Sequence, residues 1–326
     1  MKDEFEIISH ANTQYLNIFI VRLVSRTIHI HRDLELGIVL DGSLSLKTCA
    51  QPYTIGSGDA YLINSMEAHE FSSREGALIL AIQFAPAPFD SFIPGDEAVR
   101  FSVEPPIKQY YSPEAYDLFL ALCSALAQEY IRGGNGYRCL AMVSTLYSRL
   151  LETIPFQYLS HMEHLPMQRR SERLISVTDY IDAHFTRKLL LEEIAQREGL
   201  SLFHLSHLFK DALGVSFQDY LKQKRFENAC SLLASTDKSV LEISMESGFS
   251  DVRYLNDLFR KEYGCTPSEY RAGLDPGVRK EEYLSESIQL FLSREDSLTV
   301  LDDFLRDRCS RADIRFIQRL FGTFPA

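Results

Sequence analysis

Two histidines one position apart, His29 and His31, are followed by Glu35 and, further on, by His69. Successive side chains on an extended strand point to opposite faces, so His29 and His31 share one face and Ile28 and Ile30 the other. Imidazole nitrogens and a carboxylate are donors that divalent transition metals accept, and His29, His31, Glu35 and His69 could together hold one. The same residue types also work without a metal. His31, Glu35, Tyr61, His69 and Gln83 read as inward-facing polar groups that fix the hydroxyls of a small effector, with aromatics supplying apolar walls. Effector binding with no metal and no cofactor is the expectation.

A second set of residues suits a different chemistry. Phe203, Ser206, His207 and Lys210 are matched 50 positions later by Arg253, Asn256, Asp257 and Arg260. Polar and basic side chains in such a row reach base edges and phosphates. Leu205, Leu208 and Phe209, like Leu255, Leu258 and Phe259, keep the i, i+3, i+4 spacing of a buried helix face. Upstream, Ile194-Ala195 and Gly199-Leu200-Ser201 are echoed by Ile243-Ser244 and Gly248-Phe249-Ser250. The repeated unit is a helix, a turn at glycine and a second helix, over about 191–211 and 240–261. Val215 to Ala234 reads as one long helix joining the units. Two recognition helices held in this way could enter successive major grooves, roughly 34 Å apart.

The charge balance sharpens this reading. Residues 171–272 hold thirteen Lys and Arg against sixteen Asp and Glu, a net of −3. DNA affinity depends largely on neutralised phosphates, so the basic residues must be clustered. Lys210, Lys222, Lys224, Arg225, Arg253, Arg260 and Lys261 are the candidates. The whole chain of 326 residues carries −11, which argues against a protein that coats nucleic acid generally. Six scattered cysteines without a CxxC pair fit reduced thiols. Met1-Lys2-Asp3-Glu4 opens no signal peptide, and the longest apolar run, Ala77 to Ala87, is too short for a bilayer. A cytoplasmic location with no membrane partner is expected.

The elements that must carry these residues follow from pattern. Runs at Tyr15–Val24, Thr27–His31, Leu34–Leu40, Ser43–Cys49, Ala60–Asn64 and Ala77–Phe84 are separated by turn signals. Short strands so spaced predict a sandwich or barrel. From Pro113 to Ile154 two apolar stripes flank Gly133-Gly134-Asn135-Gly136, which predicts an antiparallel helical pair. Ser160 to Glu172 has no apolar period and reads as a linker in which His161 and His164 are merely solvated. Beyond Leu274-Asp275-Pro276-Gly277, stripes at Leu284, Ile288, Phe291, then Leu298, Leu301, Leu305, then Ile314, Ile317, Leu320, Phe321 predict a helical appendage. It could pack on the preceding domain, join a dimer or dock a partner.

Two resemblances add to this. The Leu191–Ala195 run, Gly199-Leu200-Ser201, Leu208-Phe209-Lys210, Arg225, Ala229, Gly248-Phe249-Ser250, Leu258-Phe259-Arg260 and Thr266–Arg271 resemble the AraC/XylS-type DNA-binding domain over about 172–272. The family commonly has a basic residue where His207 and Asp257 stand. His29-x-His31-x3-Glu35-x6-Gly42, then Gly58-Asp59 and His69, resemble the cupin motifs over about 20–90, with Asn64-Ser65-Met66 in place of Pro-x-Gly. The resemblance implies an α+β multidomain chain. A cupin-like effector-binding barrel (1–110) carries a dimerising helical hairpin (111–160). A linker (161–172) leads to an all-α double helix-turn-helix domain (173–272) and an extra helical tail (273–326). The first twenty residues would form an arm over the barrel mouth.

The function implied is a non-enzymatic transcription factor, an activator that binds a sugar or related metabolite, forms a homodimer and recruits RNA polymerase. Its DNA contacts would be Phe203, Ser206, His207, Lys210, Arg253, Asn256 and Arg260. The alternatives are a metal-dependent cupin enzyme with an accessory helical domain, and a regulator working through protein contacts of its tail.

Overall fold

A computed structural model describes residues 15–48, 51–90, 98–273 and 288–321. The N-terminal part is a curled antiparallel sheet. Its strands are β1 (Leu16–His29), β2 (Leu34–Asp41), β3 (Ser43–Thr48), β4 (Pro52–Gly56), β5 (Ala60–Ile63) and β6 (His69–Phe84). β6 pairs with β1, β2 and β3, while β4 and β5 attach to β3 and β2. Strand alternation divides the apolar residues between two cores. Ile18 and Ile20 of β1, Leu36 and Ile38 of β2 and Leu80 and Ile82 of β6 face the helices. Val21, Leu23, Val39, Tyr61, Ile63, Phe71 and Ile79 fill the concave side.

The helices of this part are α1 (Ala87–Asp90), α2 (Pro113–Ile131) and α3 (Gly136–Thr153). β7 (Ala98–Phe101) pairs with β8 (Phe156–Leu159) beside them. Ser112 caps α2, with Pro113 at its first turn, and Asn135 caps α3. These are the residue types that satisfy the first free N–H groups of a helix. α2 and α3 pack together and against the sheet, as the two stripes require.

The C-terminal helices are α4 (His161–His184), α5 (Leu191–Glu198), α6 (Leu202–Leu213), α7 (Phe217–Ser235), α8 (Val240–Glu246), α9 (Val252–Tyr263) and α10 (Pro267–Gly273). They form two small cores with α7 shared. Its first half, Phe217, Tyr220 and Leu221, joins α4, α5 and α6. Its second half, Phe226, Ala229, Cys230 and Leu233, joins α8 and α9. The chain then returns to the N-terminal part as β9 (Ile288–Phe291), α11 (Arg294–Arg308) and α12 (Arg311–Phe321).

Several expectations change. Tyr15–Val24 and Thr27–His31 are not two strands. β1 runs through the first and into the second, with pairing irregularities after Leu23 and Arg26 absorbing the break, and ends at His29, so that Ile30 and His31 lie beyond the strand. β4 and the first part of β6 were not expected as strands. The stretch 161–172 is helical, part of α4, despite Pro166 inside it. Its apolar stripe, Leu174, Val177 and Ile181, begins only afterwards, which is why the first turns show no period. Ile288 to Phe291 is a strand paired with β1, not a helical stripe. The sheet edge supplies hydrogen-bonding partners that four residues cannot find within a helix of their own. Residues 1–14, with the expected arm, and Leu274–Gly277 and Leu284 lie outside the described residues.

The tail does not pack as a separate appendage. Leu301, Phe304, Leu305, Cys309 and Ile317 share the core of α2. Gln128 of α2 donates to Asp302 at 2.6 Å, and Arg294 donates to the carbonyl of Arg132 at 2.6 Å.

Candidate nucleic-acid interface and effector site

The recognition rows rest on a rigid frame. Leu205 and Phe209 on α6, and Leu255 and Phe259 on α9, are fully buried. Their burial turns Phe203, Ser206, His207 and Lys210 outward on α6, and Arg253 and Arg260 outward on α9. Asn256 is half-buried. Asp257, where the family favours a base, is exposed. Phe203 is 68% exposed and lies 4.3 Å, ring to ring, from His207. Arg253 bends back to Asp251, the cap of α9, with Nε 2.8 Å from Oδ2. Two further exposed residues in these rows, His204 and Tyr254, were not singled out from sequence. The same 50-residue offset that matches Phe203 with Arg253 also matches them.

Two of the seven basic candidates serve the frame instead. Lys224 is buried and lies 3.2 Å from Asp182 of α4. Arg225 donates to the carbonyls of Phe185 and Arg187, both at 2.8 Å. Their aliphatic stems and heads face inward because α7 is covered on both sides. Gly248, at φ +82°, completes the joint. A Cβ there would stand 2.8 Å from the carbonyls of Phe185 and Thr186 and 2.9 Å from Arg225 Nε. The turn of the second unit is thus pressed against the end of α4 in the first. Asn228 adds a hydrogen bond to Ser247 at 3.1 Å. Lys210 and Arg260 point outward, in the last turns of α6 and α9.

In the sheet, the five expected effector residues do converge, around Glu35. Tyr61 donates to Glu35 Oε1 at 3.0 Å, and Gln83 donates to Oε2 at 2.7 Å. His31 Nε2 lies 3.0 Å from Oε2. Gly37 makes room for this arrangement, since a Cβ there would meet the Tyr61 ring at 2.0 Å. Burial alone would push the Glu35 carboxyl up, but the hydrogen bond and charge of His31, with His69 and Arg26, hold it well below the usual carboxylate range. Burial, then the Glu35 charge, pushes the Tyr61 hydroxyl well above its ordinary range. The polar atoms of Glu35, Tyr61 and Gln83 are therefore engaged with one another, so a ligand must compete with this network or bind at its edge.

His69 stands at that edge. Its ring centroid is 4.1 Å from that of His29 and 5.0 Å from that of His31. One ring nitrogen from each of His29, His31 and His69 falls within 4.8 Å of the others, a grouping that could hold a metal ion. His31 differs from the other two, since its Nε2 is held by Glu35 and its Nδ1 lies 2.9 Å from the carbonyl of Asp33. Burial holds His29 well below the ordinary imidazole range and brings His69 down to about 3, so both rings are neutral at pH 7. A buried polar atom left without a partner costs about 1–3 kcal/mol. His29 Nε2 and His69 Nε2 are buried with no hydrogen-bond partner among the described residues.

No helix of the described residues is long and apolar enough to cross a membrane. Residues 194–273 match the model of a helix-turn-helix domain, and residues 22–146 that of an AraC-like ligand-binding domain. An uncharacterised HTH-type transcriptional regulator of Staphylococcus aureus is 25% identical over 280 residues, 84% of this chain and 36% of that protein. The chain thus spans about a third of the length of that relative. The HTH-type transcriptional activator RhaS of Klebsiella pneumoniae (strain 342) is 25% identical over 254 residues, 76% of this chain and 88% of RhaS. Among solved structures, the C-terminal domain of the two-component response regulator yesN from Fusobacterium nucleatum is 37% identical. The match covers 31% of this chain and 98% of that one, with a TM-score of 0.29. The two matched domains take in more than half of the sequence in the order the fold gives them, and the chain belongs to the AraC family of HTH-type transcriptional regulators.

Proposed function

We propose that this chain is a sequence-specific DNA-binding activator of transcription whose sheet domain binds a small effector. The observation that carries this is the pair of exposed rows on α6 and α9. Each is backed by a buried Leu and Phe, and the two units are joined through Arg225 and Gly248. Phe203, Ser206, His207 and Lys210 contact one half-site, and Arg253, Asn256 and Arg260 the next. Arg253 leaves Asp251 to reach a base edge. Tyr254 and His204 belong to the same surface. The chain has no enzymatic role, works in the cytoplasm as a homodimer through the α2–α3 hairpin, and recruits RNA polymerase.

The effector site is the group around Glu35: His31, Tyr61, His69 and Gln83. Effector binding shifts a balance between conformations that already exist. The test is a fluorescence anisotropy titration with duplexes selected by the chain from a random pool, against shuffled duplexes. Tight binding to selected sites only is expected, and Arg253→Ala should cost about 1–3 kcal/mol on those sites. Equal affinity for every sequence would overturn the reading.

A further inference from the structure

The last helix of the described residues, α12, has two unlike sides. Ile314, Ile317 and Phe321 lie on the side turned to α2, with Ile317 buried in the shared core and the other two packed against it. At about 3.6 residues per turn, the outer side carries two neighbouring rows, each with i, i+4 spacing. One row is Arg311, Arg315 and Arg319, and the other is Ala312, Phe316 and Leu320. All six residues are exposed. Leu320, which the sequence pattern grouped with Ile314, Ile317 and Phe321, is 56% exposed, and Phe316 is 46% exposed.

The chain carries a net charge of −11, yet α12 holds three arginines against one aspartate. Other exposed basic side chains pair with carboxylates, as Lys47 does with Glu70, Arg149 with Glu152 and Arg306 with Asp303. Arg311, Arg315 and Arg319 have no ion pair among the described residues. Arg315 Nε donates to the carbonyl of Arg311 at 3.1 Å, a bond within the helix itself. The carboxylate of Asp313 is engaged at the start of the helix, where it accepts from Ser310 at 2.5 Å. Between α12 and Leu118 of α2 lies a surface groove of about 510 Å³. Leu118, Ala312 and Phe316 give it apolar walls, and Arg315 and Arg319 border it.

Three anionic surfaces could meet an arginine row, and the apolar row chooses among them. Phosphates of a nucleic acid pair with arginine but bring nothing to cover Phe316, Leu320 or the groove. A helix lying in a bilayer surface inserts its whole apolar face. On α12 the larger part of that face, Ile314, Ile317 and Phe321, is already spent on α2, and a flat surface cannot enter a groove. A second helix with carboxylates one turn apart, and apolar side chains beside them, meets both rows at once. A rise of about 1.5 Å per residue sets successive charges roughly 6 Å apart on either helix. Arginine takes a carboxylate through two parallel N–H bonds, and an apolar side chain of the partner fills the groove over Leu118 and Phe316. We propose that the outer side of α12, with Leu118, docks an acidic amphipathic helix of a partner protein. This goes beyond the regulator reading and stands without it. The inner side of α12 is fixed in the core of α2, so the docking face is formed before the partner arrives and little binding energy goes into ordering it.

The experiment uses the full chain and a fluorescein-labelled helical peptide with a glutamate row and a neighbouring leucine row, both at i, i+4 spacing. Anisotropy reads binding. Replacing the peptide's glutamates by glutamine, or its leucines by serine, should each weaken binding about tenfold. In the chain, Arg315→Glu combined with Arg319→Glu should do the same, and so should Phe316→Ser alone. The three positions are exposed, so melting followed by circular dichroism should be unchanged in both variants. Affinity for the selected duplex should also be unchanged, which lets this reading and the regulator reading fail separately. Absence of saturable peptide binding overturns the proposal. So does binding that the arginine variant leaves intact, or that an unstructured polyglutamate peptide of equal charge reproduces. Arginine-dependent binding to phosphatidylglycerol vesicles without peptide binding assigns the face to a membrane surface and overturns the partner helix. Loss of duplex affinity in the arginine variant without peptide binding assigns the row to phosphates, with the same consequence.

Discussion

At the scale of single residues, the joint between the two helix-turn-helix units depends on very few atoms. Arg225 satisfies two carbonyls that the end of α4 leaves free, and Gly248 allows the second turn to come close enough to cover them. Hydrogen bonds to a charged group are worth about 1.5–3 kcal/mol, so Arg225→Ala should destabilise the C-terminal helices by on the order of 2 kcal/mol. Gly248→Ala carries a left-handed backbone cost of roughly 1–2 kcal/mol, and its methyl also collides with two carbonyls. Urea denaturation followed by circular dichroism checks both, and a midpoint unchanged in either variant contradicts the joint. In the sheet, Tyr61→Phe should cost about 1–3 kcal/mol, because it removes a donor from the buried Glu35 carboxylate. The same method reads it. Sequence gave Arg225 a place in the family pattern but offered it as a phosphate contact. Its inward direction depends on α4, α7 and the turn at Gly248 meeting in space, which no local pattern encodes.

At the scale of elements, periodicity was the legible signal. The faces of α6 and α9 were readable because Leu205, Phe209, Leu255 and Phe259 repeat at helical spacing, and burial bears out each of them. The expected hairpin at α2 and α3 and most strands were readable for the same reason. What escaped were elements whose pattern is completed by distant partners. β9 has only four residues and takes its strand form from β1, and α4 begins before its apolar stripe does. His31, Glu35, Tyr61, His69 and Gln83 were expected as inward-facing polar groups, whereas the bonding of His31, Tyr61 and Gln83 to Glu35 was not legible. For the recognition helices the outward direction of Lys210 and Arg260 leads to a definite expectation. Lys210→Ala and Arg260→Ala should each weaken binding to all duplexes alike and reduce the salt slope by about 1. Anisotropy titrations over a series of KCl concentrations measure this. A loss confined to one sequence would assign the residue to a base instead of a phosphate.

At the scale of the whole molecule, the chain closes on itself. Beyond the DNA-binding helices, β9 lies at the edge of β1 and α11 and α12 cover α2. The amide of Leu292 reaches the carbonyl of Ile20 at 2.9 Å, and the rings of Phe291 and Phe19 meet at 5.2 Å. Read as sequence, this tail stood open to three roles: packing on the preceding domain, joining a dimer, or docking a partner. The fold gives its buried side a different one, as part of the effector domain's own core. Leu301 is fully buried among residues of α2 and has no solvent-facing function to lose. Leu→Ala at such a site costs about 2–5 kcal/mol, a transfer loss plus a cavity. Leu301→Ala should therefore lower the melting temperature of the effector domain, while α4–α10, whose cores take only Ile28, Ile30 and Ala68 from the sheet part and nothing from the tail, keep their own transition. Calorimetry of the full chain resolves the two. If Leu301→Ala leaves both transitions in place, the tail is a passenger on α2 and not a component of the domain.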